Sequence, residues 1–279
     1  MPQPITVVIR FDEFSYVALV DGLQPVMQGF FELSIDERLA KLAEPAVRAI
    51  LRAGTTDVRA MFSARFDEWT ILRSATSPQL TGSTVARAAR EADVDVVDWL
   101  CDQLIADRLA TTFQLPVINR DSDASAALIA APTTLIGLGD SGAHVGSINN
   151  FGYPTFILSN LVRDAGVLTI EQAVYRMSGH PASVLGLAKR GSICVGAAAD
   201  LNVIDLGELA LGPLEVRDDL PGGVSRLFQS ARGYRATLVD GEITVEEGEL
   251  TGRAPGQVVR VGQERSLARS TTRSSSTAG

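Results

Sequence analysis

The sequence predicts an α/β fold followed by a β-rich segment, and three observations predict it. Short β-branched runs alternate with helical patterns over residues 1–188. From Gly191 that alternation stops, and short runs separated by turn residues take over. Apolar residues make up 46% of the 279, enough for a substantial buried core. Strand and helix at these intervals suggest parallel βα units.

The elements follow in order. Residues 5–10 (ITVVIR) form a β-branched run that reads as a strand, and 21–31 reads as loop. Ser34 is an N-cap with Glu37 three residues on, and Leu39, Leu42, Ala46, Ile50 and Leu51 follow at helical spacing up to a stop at Gly54. Residues 57–78 mix aromatic and charged residues, with a strand expected near 69–72. Helices are expected over 84–91, 94–109 and 122–130, with strands over 113–118 and 133–138. Three more helices follow over 155–164, 169–178 and 181–187; Thr169 opens the second, and Pro181 suits the first turn of the third. Beyond Gly191, strands are expected over 200–204, 224–228, 236–239 and 243–245, with turns at Gly222-Gly223 and Asp240-Gly241. Residues 262–279 are rich in Ser, Thr and Arg and read as a disordered tail. The expected division is 1–188, 189–260 and 261–279.

Composition narrows the function classes. The net charge is −8, with 33 acidic against 25 basic residues, which argues against broad nucleic-acid binding. No apolar run is long enough to span a bilayer, so no membrane partner is expected. Residues 1–15 carry Arg10, Asp12 and Glu13 rather than a basic and then an apolar stretch. Cys101 and Cys194 lie far apart and read as buried free thiols, so the expectation is a cytoplasmic protein. There are two histidines, His144 and His180, and no HEXXH, HXH or CXXC. A catalytic zinc usually takes three protein ligands, so the chain is poorly supplied for a metal centre of its own.

The densest chemistry lies in 138–146, LGDSGAHVG. A strand is expected to end there, and the loop then holds Asp140, Ser141 and His144 among glycines that permit sharp turns. A carboxylate at the C-terminal end of a strand can bind a metal or act as a general base. The residue types leave two readings open: such a loop, or an ordinary turn capped by Asp140 with His144 bonded to backbone.

Residues 137–145 resemble the strand-8 signature of the amidohydrolase superfamily, in particular its N-acyl-D-amino-acid deacylase (D-aminoacylase-like) branch. The likeness extends to YPTFILSNLVRD (153–164), TIEQAVYRMSGHPASVLGL (169–187), RGSI (190–193), GAAADLNVID (196–205), DLPG (219–222), ARGYRATLVDG (231–241) and, upstream, FELSIDERLAKLAEPAVR (31–48). It covers about 5–260, and the set of motifs is specific. The resemblance implies the later part of a metal-dependent (β/α)8 barrel over 1–188, followed by a β-sandwich segment over 189–260. It implies zinc as cofactor and a small N-acyl amino acid or related amide as substrate. Asp140 matches the strand-8 aspartate, which binds metal and serves as general base, and Ser141, Gly142 and His144 would lie beside the substrate. His180, Asp200, Asn202, Arg232 and Tyr234 fall on positions that read as structural.

The rest of the family's metal set, an HXH pair and further histidines, has no counterpart here. A complete barrel takes about 250 residues. The expectation is therefore a C-terminal fragment of a C–N hydrolase that cannot hold zinc alone, completed by another polypeptide or by homo-oligomerisation. The alternative is a catalytically inactive homologue acting as a structural or binding subunit. Metal-free hydrolysis by Asp140 and His144 is a third and weaker reading.

Overall fold

The computed structural model describes residues 5–13, 15–20, 23–55, 64–118, 120–137 and 139–259. Its first layer is an open four-stranded sheet in the order β2-β3-β1-β4. The strands are β1 (Ile5–Ile9), β2 (Thr70–Arg73), β3 (Thr112–Ile118) and β4 (Ile148–Asn149). β1 lies centrally, with Val7 opposite Leu115 on one side and Ile148 on the other.

Every pairing in this sheet is antiparallel. The parallel βα units expected from the sequence do not form among the described residues. A single crossover helix returns the chain to the end where the previous strand began, which makes the next strand parallel. Here two helices, α4 (Val85–Glu91) and α5 (Val96–Ala106), join β2 to β3. The second helix carries the chain back again, so β3 enters from the opposite end and pairs antiparallel.

Helices cover one face of the sheet. α1 (Gln24–Met27) occupies part of the stretch expected to be loop. The single helix expected from Ser34 to Gly54 is two, α2 (Ile35–Ala43) and α3 (Pro45–Gly54). Pro45 explains the break: it disfavours the helical conformation in the residue before it, and Glu44 is extended at φ −70°, ψ 126°. The N-terminus of α2 is as expected, with Ser34 Oγ accepting from the Glu37 N–H while Glu37 accepts from the Ser34 N–H at 2.8 Å.

The core between sheet and helices is aromatic at its centre. Trp69 is fully buried, with Phe66 edge-on at 5.1 Å and Phe113 at 6.0 Å. Val7, Ile9, Leu42, Leu51, Leu100 and Leu104 pack around them. Cys101 lies here too, and burial pushes its thiol up to about 11. Arg38 is also buried, because its guanidinium donates to the carbonyls of Phe11, Asp12, Phe31 and Leu33.

After β3 the chain forms α6 (Ser122–Ala130), then α7 (Tyr153–Phe156), which widens into a π-helix over Ile157–Asp164. α8 (Ile170–Val174) runs through a π-turn at Tyr175–Gly179 into α9 (His180–Val184). These build a second, smaller core around Ile157, Leu161, Leu168 and Leu209. The strand expected over 133–138 is absent from its described residues, and Leu138 lies outside them. Thr134 instead folds back on α6, donating its hydroxyl to the carbonyls of Leu128 (2.6 Å) and Ala131 (2.9 Å).

The C-terminal segment holds a two-stranded ribbon, β6 (Ala210–Leu220) and β7 (Val224–Arg232). It also holds an antiparallel sheet in the order β10-β9-β8-β5. Its strands are β5 (Leu201–Ile204), β8 (Tyr234–Val239), β9 (Glu242–Glu246) and β10 (Glu249–Leu250). Cys194 is exposed, which corrects the expectation of two core thiols: it sits in an irregular stretch with Ile193 and Val195, both open to solvent. The expected tail over 262–279 lies outside the described residues.

Candidate functional site

The loop that carries Asp140 is held at both ends. On the approach, Arg176 is buried in the π-turn and donates from one nitrogen to the Ala131 carbonyl (2.6 Å), the Thr134 carbonyl (3.0 Å) and the Thr134 hydroxyl (2.7 Å). The Tyr153 hydroxyl then donates to the Gly137 carbonyl at 3.2 Å. On the exit, the Val8 N–H donates to the Ser147 carbonyl at 2.7 Å, and the Leu227 N–H to the Val145 carbonyl at 2.8 Å. The loop is thus strung between β1 of the first sheet and β7 of the ribbon.

Within it, Asp140–Gly142 forms one 3-10 turn, with the Asp140 carbonyl accepting from the Ala143 N–H at 3.1 Å. The His144 carbonyl accepts from the N–H groups of Ser147 (2.9 Å) and Ile148 (3.0 Å) and so starts β4. Ser141 and Asn150 lock the two sides together. The Ser141 N–H and hydroxyl donate to Asn150 Oδ1 at 3.2 and 2.5 Å, and the Asn150 N–H returns to Ser141 Oγ at 2.8 Å.

Each sequence candidate can now be placed. Asp140 and His144 are exposed, and among the described residues no hydrogen bond or ion pair engages the carboxylate or the ring. Both are therefore presented to solvent from a fixed backbone. Gly142 is exposed beside them. Ser141, expected beside a substrate, has a buried side chain whose hydroxyl donates to Asn150, so it braces the loop. His180 stacks on Tyr175 at 5.8 Å, away from the loop's hydrogen bonds. Asp200 accepts from the Asp240 N–H at 2.9 Å and pairs with Arg190. Asn202 accepts from the Thr237 hydroxyl at 2.9 Å, and the Tyr234 hydroxyl meets Thr155 Oγ1 at 2.8 Å.

Sequence reasoning missed Asn150 and Arg176. Asn150 lies nine residues from its partner and nothing local marks it. Arg176 carried a usable signal: it is a lone cation one turn after the apolar Ala173, on the face that the helix buries.

The donor set decides whether zinc fits. Among the described residues, no group of three or more His, Cys, Asp or Glu comes together that could hold a metal ion. One exposed carboxylate and one exposed imidazole fall short of the three protein ligands of an ordinary catalytic zinc. The residues present do not fit the metal that the resemblance implies.

Comparison with known proteins gives the family. The amidohydrolase family model matches residues 24–245, well over half of the chain. The N-acyl-D-glutamate deacylase of Alcaligenes xylosoxydans xylosoxydans is 49% identical over 55 residues, 20% of this chain and 11% of that protein. The N-acyl-D-aspartate deacylase of the same organism is 34% identical over 113 residues, 40% of this chain and 21% of that protein. Among solved structures, the N-acyl-D-glutamate deacylase of Bordetella bronchiseptica, complexed with zinc and a phosphonate inhibitor, aligns with a TM-score of 0.43 at 27% identity. That alignment covers 70% of this chain and 38% of the other. The chain thus spans less than a quarter of the length of the curated relatives it matches and under two-fifths of the structural one. The family match over 24–245 shows that the chain belongs to the amidohydrolase family, and its curated relatives put it on the D-aminoacylase-like branch.

Proposed function

We propose that this chain supplies the aspartate-bearing loop of a hydrolase that cleaves the C–N bond of an N-acyl amino acid. The observation that carries the reading is Asp140: an exposed carboxylate, unpaired among the described residues, on a backbone braced by Ser141–Asn150 and Arg176, inside the family-matched region. A free carboxylate can accept a proton from water as the water adds to the amide carbon. It can then return that proton to the nitrogen as the C–N bond breaks, giving a carboxylic acid and an amine. Gly142 and His144 would lie beside the substrate. Any zinc is held, in this reading, by ligands outside this chain, and the barrel and sandwich of the family belong to the completed protein. The completing partner is another polypeptide or a further copy of this one.

The second reading is an inactive homologue that serves as a structural or binding subunit. It is favoured by the missing donor group among the described residues.

One experiment separates the two. The full chain is assayed for bound metal and for hydrolysis of N-acetyl-D-amino acids, alone and with candidate partners carrying an HXH segment. Activity that appears with a partner and drops at least a hundredfold in Asp140→Asn supports the hydrolase. Metal-free, inactive protein under every condition overturns it and leaves the subunit.

A further inference from the structure

A second feature lies on the far side of the same loop. Val7 and Ile9 face the aromatic core, so Val8 and Arg10 point from β1 to the opposite side. There they line a cleft of about 720 Å³. Gly146 and Ser147, the exit of the Asp140 loop, line one part of it, and the ribbon tip at Gly223–Ser225 lines another. The volume lies within the usual range of small-ligand sites.

The cleft is amphiphilic. Val8, Leu19 and Val224 give it apolar surface, and Arg10 and Glu13 stand in its lining as the charged pair. One edge of the Arg10 guanidinium is taken, since Nε and Nη2 reach Asp12 at 3.0 and 2.6 Å. Glu13 is held only loosely, 3.5 Å from Arg10 Nε. A second pair stands beyond the rim, with Arg73 on Asp218 at 3.0 Å and the Ser225 hydroxyl donating to Asp218 at 2.6 Å.

The charge balance selects the ligand. Arg10 and Arg73 oppose Asp12, Glu13 and Asp218, which leaves the described neighbourhood one negative charge in excess. An N-acyl amino acid carries a net negative charge and would be repelled overall. A free amino acid is neutral overall, and its two opposite charges match a guanidinium and a carboxylate side by side.

We propose that this cleft binds a free α-amino acid as its zwitterion, with the carboxylate on Arg10, the ammonium on Glu13 and an apolar side chain against Val8, Leu19 and Val224. It rests on the hydrolase reading only in naming that amino acid as the released amine product; the site itself stands on the cleft and its charges.

The test is calorimetric titration of the full chain with D-leucine, L-leucine, isoamylamine (no carboxylate), isocaproate (no ammonium) and N-acetyl-leucine. Leucine of one or both hands is expected to bind, with each single-charge or acylated analogue at least tenfold weaker. Glu13→Gln, a change at an exposed side chain, is expected to weaken leucine about tenfold and to leave isocaproate no weaker. The proposal is overturned if neither leucine binds, if an analogue binds as tightly as leucine, or if Glu13→Gln leaves leucine binding unaltered. Leucine binding without any hydrolysis would sink the hydrolase reading and leave the site standing; hydrolysis without leucine binding would do the reverse.

Discussion

Trp69 and Val195 mark the two ends of a contrast. Trp69 is wholly enclosed by Phe66, Phe113 and the helices behind them, whereas Val195 is wholly solvent-exposed. The contrast extends to the regions around them. Helices α1–α5 and the β1–β4 sheet bury a continuous apolar core. In the β5–β10 segment, only Leu209 and Leu227 are buried among the hydrophobic residues, while Val203, Val224 and Leu250 are exposed. The first region is held by packing. The second is held by backbone ladders and side-chain pairs, among them Arg235 with Asp205, Glu208 and Glu247. Apolar content alone does not make a core; the chain must also return to cover it.

The largest expected effect probes the packed side. Trp69→Ala should cost about 4 kcal/mol in denaturant unfolding, because the cavity left among Phe66 and Phe113 cannot collapse. Val195→Ala should stay within about 0.5 kcal/mol. Equal costs would erase the contrast. Next comes Arg38, whose loss strands four carbonyls and removes the cation resting on Phe30 and Phe31 at 5.6 and 5.3 Å. Arg38→Met should cost about 2–3 kcal/mol by the same measurement.

A third test uses pH. Burial alone would raise the Asp107 carboxyl, but donors from Thr111, Thr76, Ser74 and Ala75 outweigh it and hold the group below its ordinary value. A lowered folded-state pKa gives stability that is fully present above the ordinary carboxylate range and is lost as pH falls through the folded value. Urea midpoints of wild type and Asp107→Asn should therefore converge below about pH 4 and separate above it. The smallest effect belongs to the ladder side. Arg235→Ala should leave the urea midpoint almost where it is, and any loss should shrink further in high salt.

What the sequence made legible was local. The capping box of α2 needs only Ser34 and Glu37, and β1 and β3 announce themselves by β-branched and apolar runs. Strand direction was not legible, because the return of α4 and α5 sets it and no residue encodes it. The run over 133–138 looks like a strand, yet Thr134 turns it back onto α6, and β1 already has partners on both sides. At the candidate site, Asp140 and His144 stood out by residue type. The brace beneath them did not, since a Ser–Asn pair nine residues apart acquires meaning only once the loop has closed.

That brace sets how freely the loop can drift. A side chain at Gly137 or Gly142 would meet open space, and at Gly146 an ordinary 3.6 Å contact with the Ser225 carbonyl. At Gly139 a Cβ would sit 2.7 Å from Asn150 Oδ1, the atom that holds Ser141. A saturation-mutagenesis library selected for folded protein should therefore keep position 139 nearly monomorphic while alanine accumulates at 137 and 142. Four glycines that look alike in the alphabet would then separate into one fixed hinge pin and three replaceable spacers.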